Sequence, residues 1–215
     1  MNRKKVIILD YGLGNLLSVK RAIEMCDAEV SICNDANKIK NADHLVLPGV
    51  GNFSVAMIEL KSRGFIDALL SYAKLERPLL GICLGMQILF DSSEEQGLHS
   101  GLGIIQGEVK QIPKQNQKSI DHKIPHIGWS PLTKITTEKN NNISLLENND
   151  LGKYYYFVHS YQGHTKNPSH TLASISYNEL EITAAVQKGY IIGCQFHPEK
   201  SGTNGLELIK RFISI

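Results

Sequence analysis

The chain has 215 residues, of which 42% are hydrophobic and 20% charged, a composition that suits one globular domain over residues 1–215 with a sizeable core. The formal net charge of +2 and the scattered lysines give no electrostatic footprint for nucleic acid. No apolar run reaches membrane-spanning length, and the basic-then-apolar start "MNRKKVIIL" breaks at Asp10, too early for an export signal, so a soluble, cytoplasmic protein is expected.

In chain order, "KVIILDYG" predicts a buried strand and "NLLSVKRAIEMC" an amphipathic helix. "AEVSIC" and "HLVLPG" predict two more strands, "SVAMIELKSRG" and "FIDALLSYAKL" two helices, and "RPLLGIC" a strand running into the helix "LGMQILFDS". This alternation predicts an α/β fold, a mostly parallel central sheet with helices on both faces. Beyond residue 100 the texture changes to short strands, "GIIQGEVKQI", "YYYFVHSY", "TLASISY" and "ITAAVQKGYIIGCQFH", the last with a Lys-Gly turn. An antiparallel extension of the sheet is expected, closed by the helix "GTNGLELIKRFISI". The polar stretches "PKQNQKSIDHK" and "TTEKNNNISLLENND" read as surface loops.

Two glycine-rich turns invite a cofactor or catalytic reading. Gly12-Leu13-Gly14 begins like a dinucleotide fingerprint, but Leu17 occupies the third glycine position, leaving a tight βα loop. "GICLGMQ" is different: Gly81 and Gly85 clear the space on either side of Cys83 where a strand must turn sharply into a helix. That is the G-x-S-x-G elbow geometry with a thiol in place of the hydroxyl, and the helix start favours a thiolate. A buried cysteine in a tight turn fits the motif equally well. Cys26, Cys33 and Cys194 form no C-x-x-C pair with it or with one another, and Cys26 and Cys33 read as core residues.

A thiol nucleophile needs a base, and the base a group that orients it. Among the eight histidines His197 ends an apolar strand and precedes Pro198 and Glu199, a spacing that lets the carboxylate reach back to the imidazole. An oxyanion would find donors at the Leu84 N–H and in the "LPGVG" loop around Gly49 and Gly51. A strand end and an ordinary glycine turn are the bland alternatives for these two segments.

"LPGVGNF", "GICLGMQILF", "HIGWS", "YYYFVHSY" and "QFHPEKSG" together resemble the class I (triad) glutamine amidotransferases, most closely the glutaminase subunits of imidazole glycerol phosphate synthases, and the resemblance spans essentially the whole chain. It implies a Cys83, His197 and Glu199 triad, and a glutamine site built by Gln87, Glu95 and the backbone of His159, Ser160 and Tyr161. It also implies an oxyanion loop at Gly49, Val50 and Gly51 that can be wrongly turned until a partner is occupied. The partner implied is a (β/α)₈ barrel cyclase subunit, met through Asn15, Trp129 and Lys200, with glutamine as substrate. No metal or organic cofactor is called for by this chemistry. Ser130 departs from the commoner "HIGWN", and related glutaminases that feed sugar-amidating synthases, or a silent binding subunit, are the other readings.

Overall fold

The structure is a computed structural model that describes residues 3–136 and 144–215. Its first half runs β1 (Lys5–Leu9), α1 (Leu16–Glu24), β2 (Glu29–Cys33), β3 (His44–Gly49), α2 (Phe53–Ser62), α3 (Phe65–Ala73), β4 (Leu79–Cys83) and α4 (Leu84–Ile88). The second half adds β5 (Phe90–Ser93), β6 (His99–Ser100), β7 (Ile105–Gln111), β8 (His126–Pro131), β9 (Lys134–Ile135), β10 (Tyr154–His159), β11 (Tyr161–Thr165), β12 (Thr171–Tyr177), β13 (Leu180–Lys188), β14 (Ile191–Cys194) and α5 (Gly202–Ser214).

The central sheet has eight strands in the order β2-β1-β3-β4-β14-β13-β12-β9. The first five are mutually parallel, and β13, β12 and β9 continue the sheet antiparallel. Strands covered on both sides must be apolar on both sides. Val6 and Ile8 accordingly join Val46, Leu80 and Ile82 in one core, under α1 and α5, while Ile7 and Leu9 join Leu45, Leu47 and Leu79 in a second core, under α2, α3 and α4. The expected parallel sheet between two helical layers is therefore present. No helix among the described residues is long and apolar enough to cross a membrane.

Three expectations need correction. The helix after Cys83 stops at Ile88, and Phe90–Ser93 is a strand instead of the helix end read from "ILFDS". Phe90 pairs with Ile105, and its ring lies so close to Gly163 that a Cβ there would sit 2.3 Å from it, a tertiary fit invisible to local periodicity. Not every later strand extends the central sheet: β11-β7-β5-β6 form a separate sheet, and β10 and β8 a two-stranded ribbon. The hairpin expected near Lys188 does join β13 to β14, with Gly189 at φ 58° supplying the turn.

The third concerns "TTEKNNNISLLENND", of which residues 137–143 lie outside the described residues. Its end is no surface loop, since Leu145, Leu146 and Asp150 are all fully buried. Arg211 of α5 forms a bidentate ion pair with Asp150, and its Nη1 also donates to the Leu145 carbonyl at 3.1 Å.

The register decides where chemistry can occur. Gly49 lies opposite Cys83, and Cys194 opposite Ile82, so the ends of β3, β4 and β14 coincide. In open parallel sheets this carboxyl edge is where ligands bind.

Candidate active site

Cys83 adopts φ 54° and ψ −109°, a conformation that L-residues rarely hold, at the junction of β4 and α4. The flanking glycines make the junction possible. A Cβ on Gly85 would lie 1.9 Å from the Leu47 carbonyl oxygen, and one on Gly81 would lie 2.7 Å from the Gly85 carbonyl oxygen. Helix α4 is thereby pressed onto β3 and β4, and the thiol is lifted to the sheet edge. The S–H points toward the Val158 carbonyl at 3.9 Å.

Beyond β14 the chain carries His197 to the same edge. Its N–H donates to the Tyr156 carbonyl (2.9 Å) and its carbonyl accepts from the Ser201 hydroxyl (2.7 Å), so the backbone is held on both sides. The Pro198 turn brings Glu199 back, and its Oε1 lies 2.8 Å from His197 Nδ1. Both side chains are almost wholly buried. Among the described residues Nε2 of His197 has no hydrogen-bond partner. Burial pulls the His197 pKa down, but its interactions with Cys83 and with the Glu199 carboxylate outweigh it and hold the imidazole up at about 9. The fully buried Cys194 contrasts with this, its thiol pushed far up by desolvation.

Cys83 and His197 open into a cavity of about 470 Å³ whose walls include Gln87, Glu95, Val158, Ser160 and Tyr161. His159, Val50 and Gly51 complete the predicted part of the lining. Gln87 is only 5% exposed, which excludes a solvent-facing helix position. Its Nε2 donates to the Tyr161 carbonyl (3.1 Å) and to Gln195 Oε1 (3.0 Å). Glu95 is tied down as well, Oε2 accepting the Phe53 N–H at 2.7 Å at the start of α2, just past the Gly49–Gly51 loop. Gly49 and Leu84 are not among the residues that line the cavity. Gly49 passes over the Tyr11 hydroxyl, which a Cβ would meet at 2.6 Å, and Leu84 buries its side chain in the second core, leaving only its N–H to offer. Gly51, at φ 106° with open space around it, forms the free tip of that loop.

The three residues expected at a partner face lie outside the cavity. Trp129 is 53% exposed on β8, its ring 6.0 Å from that of Tyr156, over which Lys200 Nζ sits at 5.9 Å. Ile127 and Tyr154 extend this surface with further exposed apolar area. Asn15 caps α1, its Oδ1 accepting from the Ser18 N–H, and α1 packs against the turn that carries Lys200.

Sequence reasoning missed Gln195, which donates from Nε2 to the Cys83 sulfur at 3.6 Å. Its place two residues before His197 in an extended stretch was the available signal. It also missed His126 and Ser130, joined behind the cavity to His159, and Tyr11, whose hydroxyl donates to the Pro48 carbonyl at 2.8 Å.

Comparison with known proteins identifies the family of the chain. The sequence model of the glutamine amidotransferase class-I family matches residues 7–215. The imidazole glycerol phosphate synthase subunit HisH 1 of Legionella pneumophila (strain Lens) is 44% identical over 210 residues, covering 98% of this chain and 99% of its own. The HisH subunit of Geobacillus sp. (strain WCH70) is 44% identical over 208 residues, covering 97% and 95%. Among solved structures, PurLQS from Thermotoga maritima superposes with a TM-score of 0.70 at 16% identity over 99% of both chains, a likeness of fold. The chain belongs to the class-I glutamine amidotransferases and, within them, to the family of the HisH subunits of imidazole glycerol phosphate synthase.

Proposed function

We propose that this chain is the glutaminase subunit of an imidazole glycerol phosphate synthase, with Cys83 as nucleophile, His197 as its base and acid, and Glu199 as the group that orients His197. The observation that carries the reading is the strained Cys83 turn opening into one cavity with a His197–Glu199 pair. In this reading the Cys83 thiolate attacks the carboxamide carbon of glutamine. The oxyanion is met by backbone N–H groups of Leu84 and the Gly49–Gly51 loop. Collapse breaks the C–N bond, and His197 gives its proton to the departing ammonia. Water, deprotonated by His197, then cleaves the glutamyl thioester to glutamate and restores the thiol.

Gln87, Glu95 and the His159–Tyr161 backbone hold the substrate, the two side chains being fixed by their own hydrogen bonds before glutamine arrives. Ammonia released into water becomes ammonium and is lost as a nucleophile, so a synthase subunit must cover the site. We infer a (β/α)₈ barrel cyclase as that partner, working with this chain in the cytoplasm and seated on the exposed Trp129 ribbon with Lys200 and Asn15 at its rim. An aromatic anchor beside a rim charge fits the usual anatomy of an interface.

The test is to mix the purified chain with the cyclase subunit encoded in the same genome and to follow glutamate release. Stimulation by the cyclase that disappears in Cys83→Ala and weakens more in Trp129→Ala than in Lys200→Ala is expected. Glutaminase activity that survives Cys83→Ala, or is stimulated only by a different synthase, overturns the corresponding part of the reading.

A further inference from the structure

The β8/β10 ribbon has two unlike faces. Its register sets His126 opposite His159 and Ser130 opposite Tyr155, and alternation turns Ile127, Trp129 and Tyr154 outward while His126, Ser130 and His159 point inward. The inward polar groups are linked end to end. Ser130 Oγ lies 3.0 Å from His126 Nε2, His126 Nδ1 lies 3.2 Å from His159 Nε2, and His159 Nδ1 lies 2.8 Å from the Tyr161 carbonyl oxygen. His126, His159 and Ser130 are 3%, 6% and 8% exposed, so each polar atom of the chain depends on its neighbour for a partner.

Only one link has an intrinsic polarity, and it determines the rest. A carbonyl can only accept, so His159 carries its proton on Nδ1. Desolvation drives both imidazoles far below their ordinary pKa, His159 to about 3 and His126 to about 4, so each ring has one N–H and one lone pair. Nε2 of His159 is then an acceptor and His126 Nδ1 its donor. Nε2 of His126 is in turn an acceptor, which the Ser130 hydroxyl must satisfy as donor. The His126 ring is packed against Tyr177 and Phe157, at centroid distances of 4.3 and 5.2 Å.

We propose that Ser130, His126 and His159 form a one-way hydrogen-bonded relay that positions the Tyr161 carbonyl, and with it the Ser160–Tyr161 wall of the glutamine cavity, from the inner face of the Trp129 ribbon. The donor at position 130 sets its direction. An acceptor there reverses His126, then His159, and leaves a ring lone pair facing the Tyr161 carbonyl. Among the described residues only the Gln87 bond would then hold that carbonyl. His126 and Ser130 are positioning residues, and their role rests on the reading of the cavity as a glutamine site.

Two measurements test this separately. In the isolated chain at pH 7, ¹⁵N shifts of the histidine rings are expected to show both His126 and His159 as Nδ1–H tautomers. Ser130→Asn, whose amide still donates, should keep both, and Ser130→Asp, whose ionised carboxylate only accepts, should place a proton on His126 Nε2. In the complex with its synthase, Ser130→Asp should raise the KM for glutamine about 5-fold, the worth of roughly one hydrogen bond, while Ser130→Asn stays within about 2-fold of wild type. Should Ser130→Asp not fold, Ser130→Ala serves, with mixed tautomers at His126 and a smaller rise in KM. An Nε2–H tautomer at either ring of the wild type overturns the relay. A reversed tautomer with an unchanged KM overturns the positioning role. Absence of glutaminase activity in the wild-type complex overturns the reading of the cavity, and the positioning role with it, whatever the tautomers.

Discussion

Gln195 and Cys83 are joined by a hydrogen bond in which the fully buried amide donates to the sulfur at 3.6 Å, while the other end of the same amide accepts from Gln87. The carboxamide is thus locked in one orientation, with its N–H groups toward the thiol. A donor fixed in that way stabilises negative charge on sulfur and withholds no flexibility from the substrate.

Gln195→Leu, of similar volume, should therefore slow glutamine hydrolysis by about 10-fold or more, since a hydrogen bond to a charged group contributes about 1.5–3 kcal/mol. Gln195→Glu should cost more, because it sets a carboxylate against the thiolate. Pre-steady-state measurement of glutamyl thioester formation in the complex checks both. Unchanged thioester formation in Gln195→Leu would remove Gln195 from the chemistry.

The strained Cys83 backbone makes an unusual stability prediction. A non-glycine residue held in such a region costs about 1–3 kcal/mol, whereas burying one methyl group returns only about 0.8 kcal/mol. Cys83→Gly should then be more stable than Cys83→Ala by about 1 kcal/mol, or roughly 2–4 °C in Tm for a chain of this size. Neither variant should hydrolyse glutamine. Thermal unfolding that ranks alanine above glycine would mean that the turn is relaxed in solution.

His197, held at about 9 against an ordinary 6.5, makes stability depend on pH. A raised pKa stabilises the fold fully below the unfolded value and loses that contribution as pH rises through the folded one. Glu199→Gln removes one of the two groups that hold it up. The stability gap between wild type and Glu199→Gln should be widest near pH 6 and narrow toward pH about 9.5, as read by denaturant unfolding across that window. The same variant should hydrolyse glutamine faster than His197→Ala, since the carboxylate orients the base without moving the proton itself.

Asp150 behaves in the opposite sense. Burial pushes its carboxyl up, but the Arg211 guanidinium, the Glu147 N–H and Lys153 outweigh this and hold it at about 2. Its stabilisation is present above the ordinary value of 3.8 and is lost as pH falls toward 2. Asp150→Asn, which leaves Arg211 partly buried without its partner, should cost about 3 kcal/mol at pH 7. That difference should shrink between pH 4 and pH 2. A constant difference over that range, measured by urea unfolding, would show that the ion pair is not what holds residues 144–150 to α5.

The sequence alone determined much of this protein because two of its signals are local. Apolar runs in Lys5–Leu9, His44–Gly49 and Leu79–Cys83, each short and followed by helical periodicity, predict buried strands of a covered parallel sheet. Gly81 and Gly85 mark a turn with no room for side chains, so the position of Cys83 was legible before its φ was known. His197 and Glu199 were legible for the same reason, being two residues apart across a proline.

Tertiary structure decided everything that depends on register between distant segments. Which residue faces the Cys83 sulfur follows from the pairing of β14 with β4, and that pairing brings in Gln195, 112 positions away. Likewise Phe90 leaves the helical pattern where Gly163 opens a space for its ring, and Leu145 and Leu146 are buried in the core that α5 covers, where Arg211 also ties the Leu145 carbonyl. The Ser130, His126 and His159 chain exists because β8 pairs with β10 and sets His126 opposite His159, and its polarity comes from the Tyr161 carbonyl two residues past His159. A side chain's period along the chain records which way it points; its partner is recorded only in how the strands align, and no local pattern carries that information.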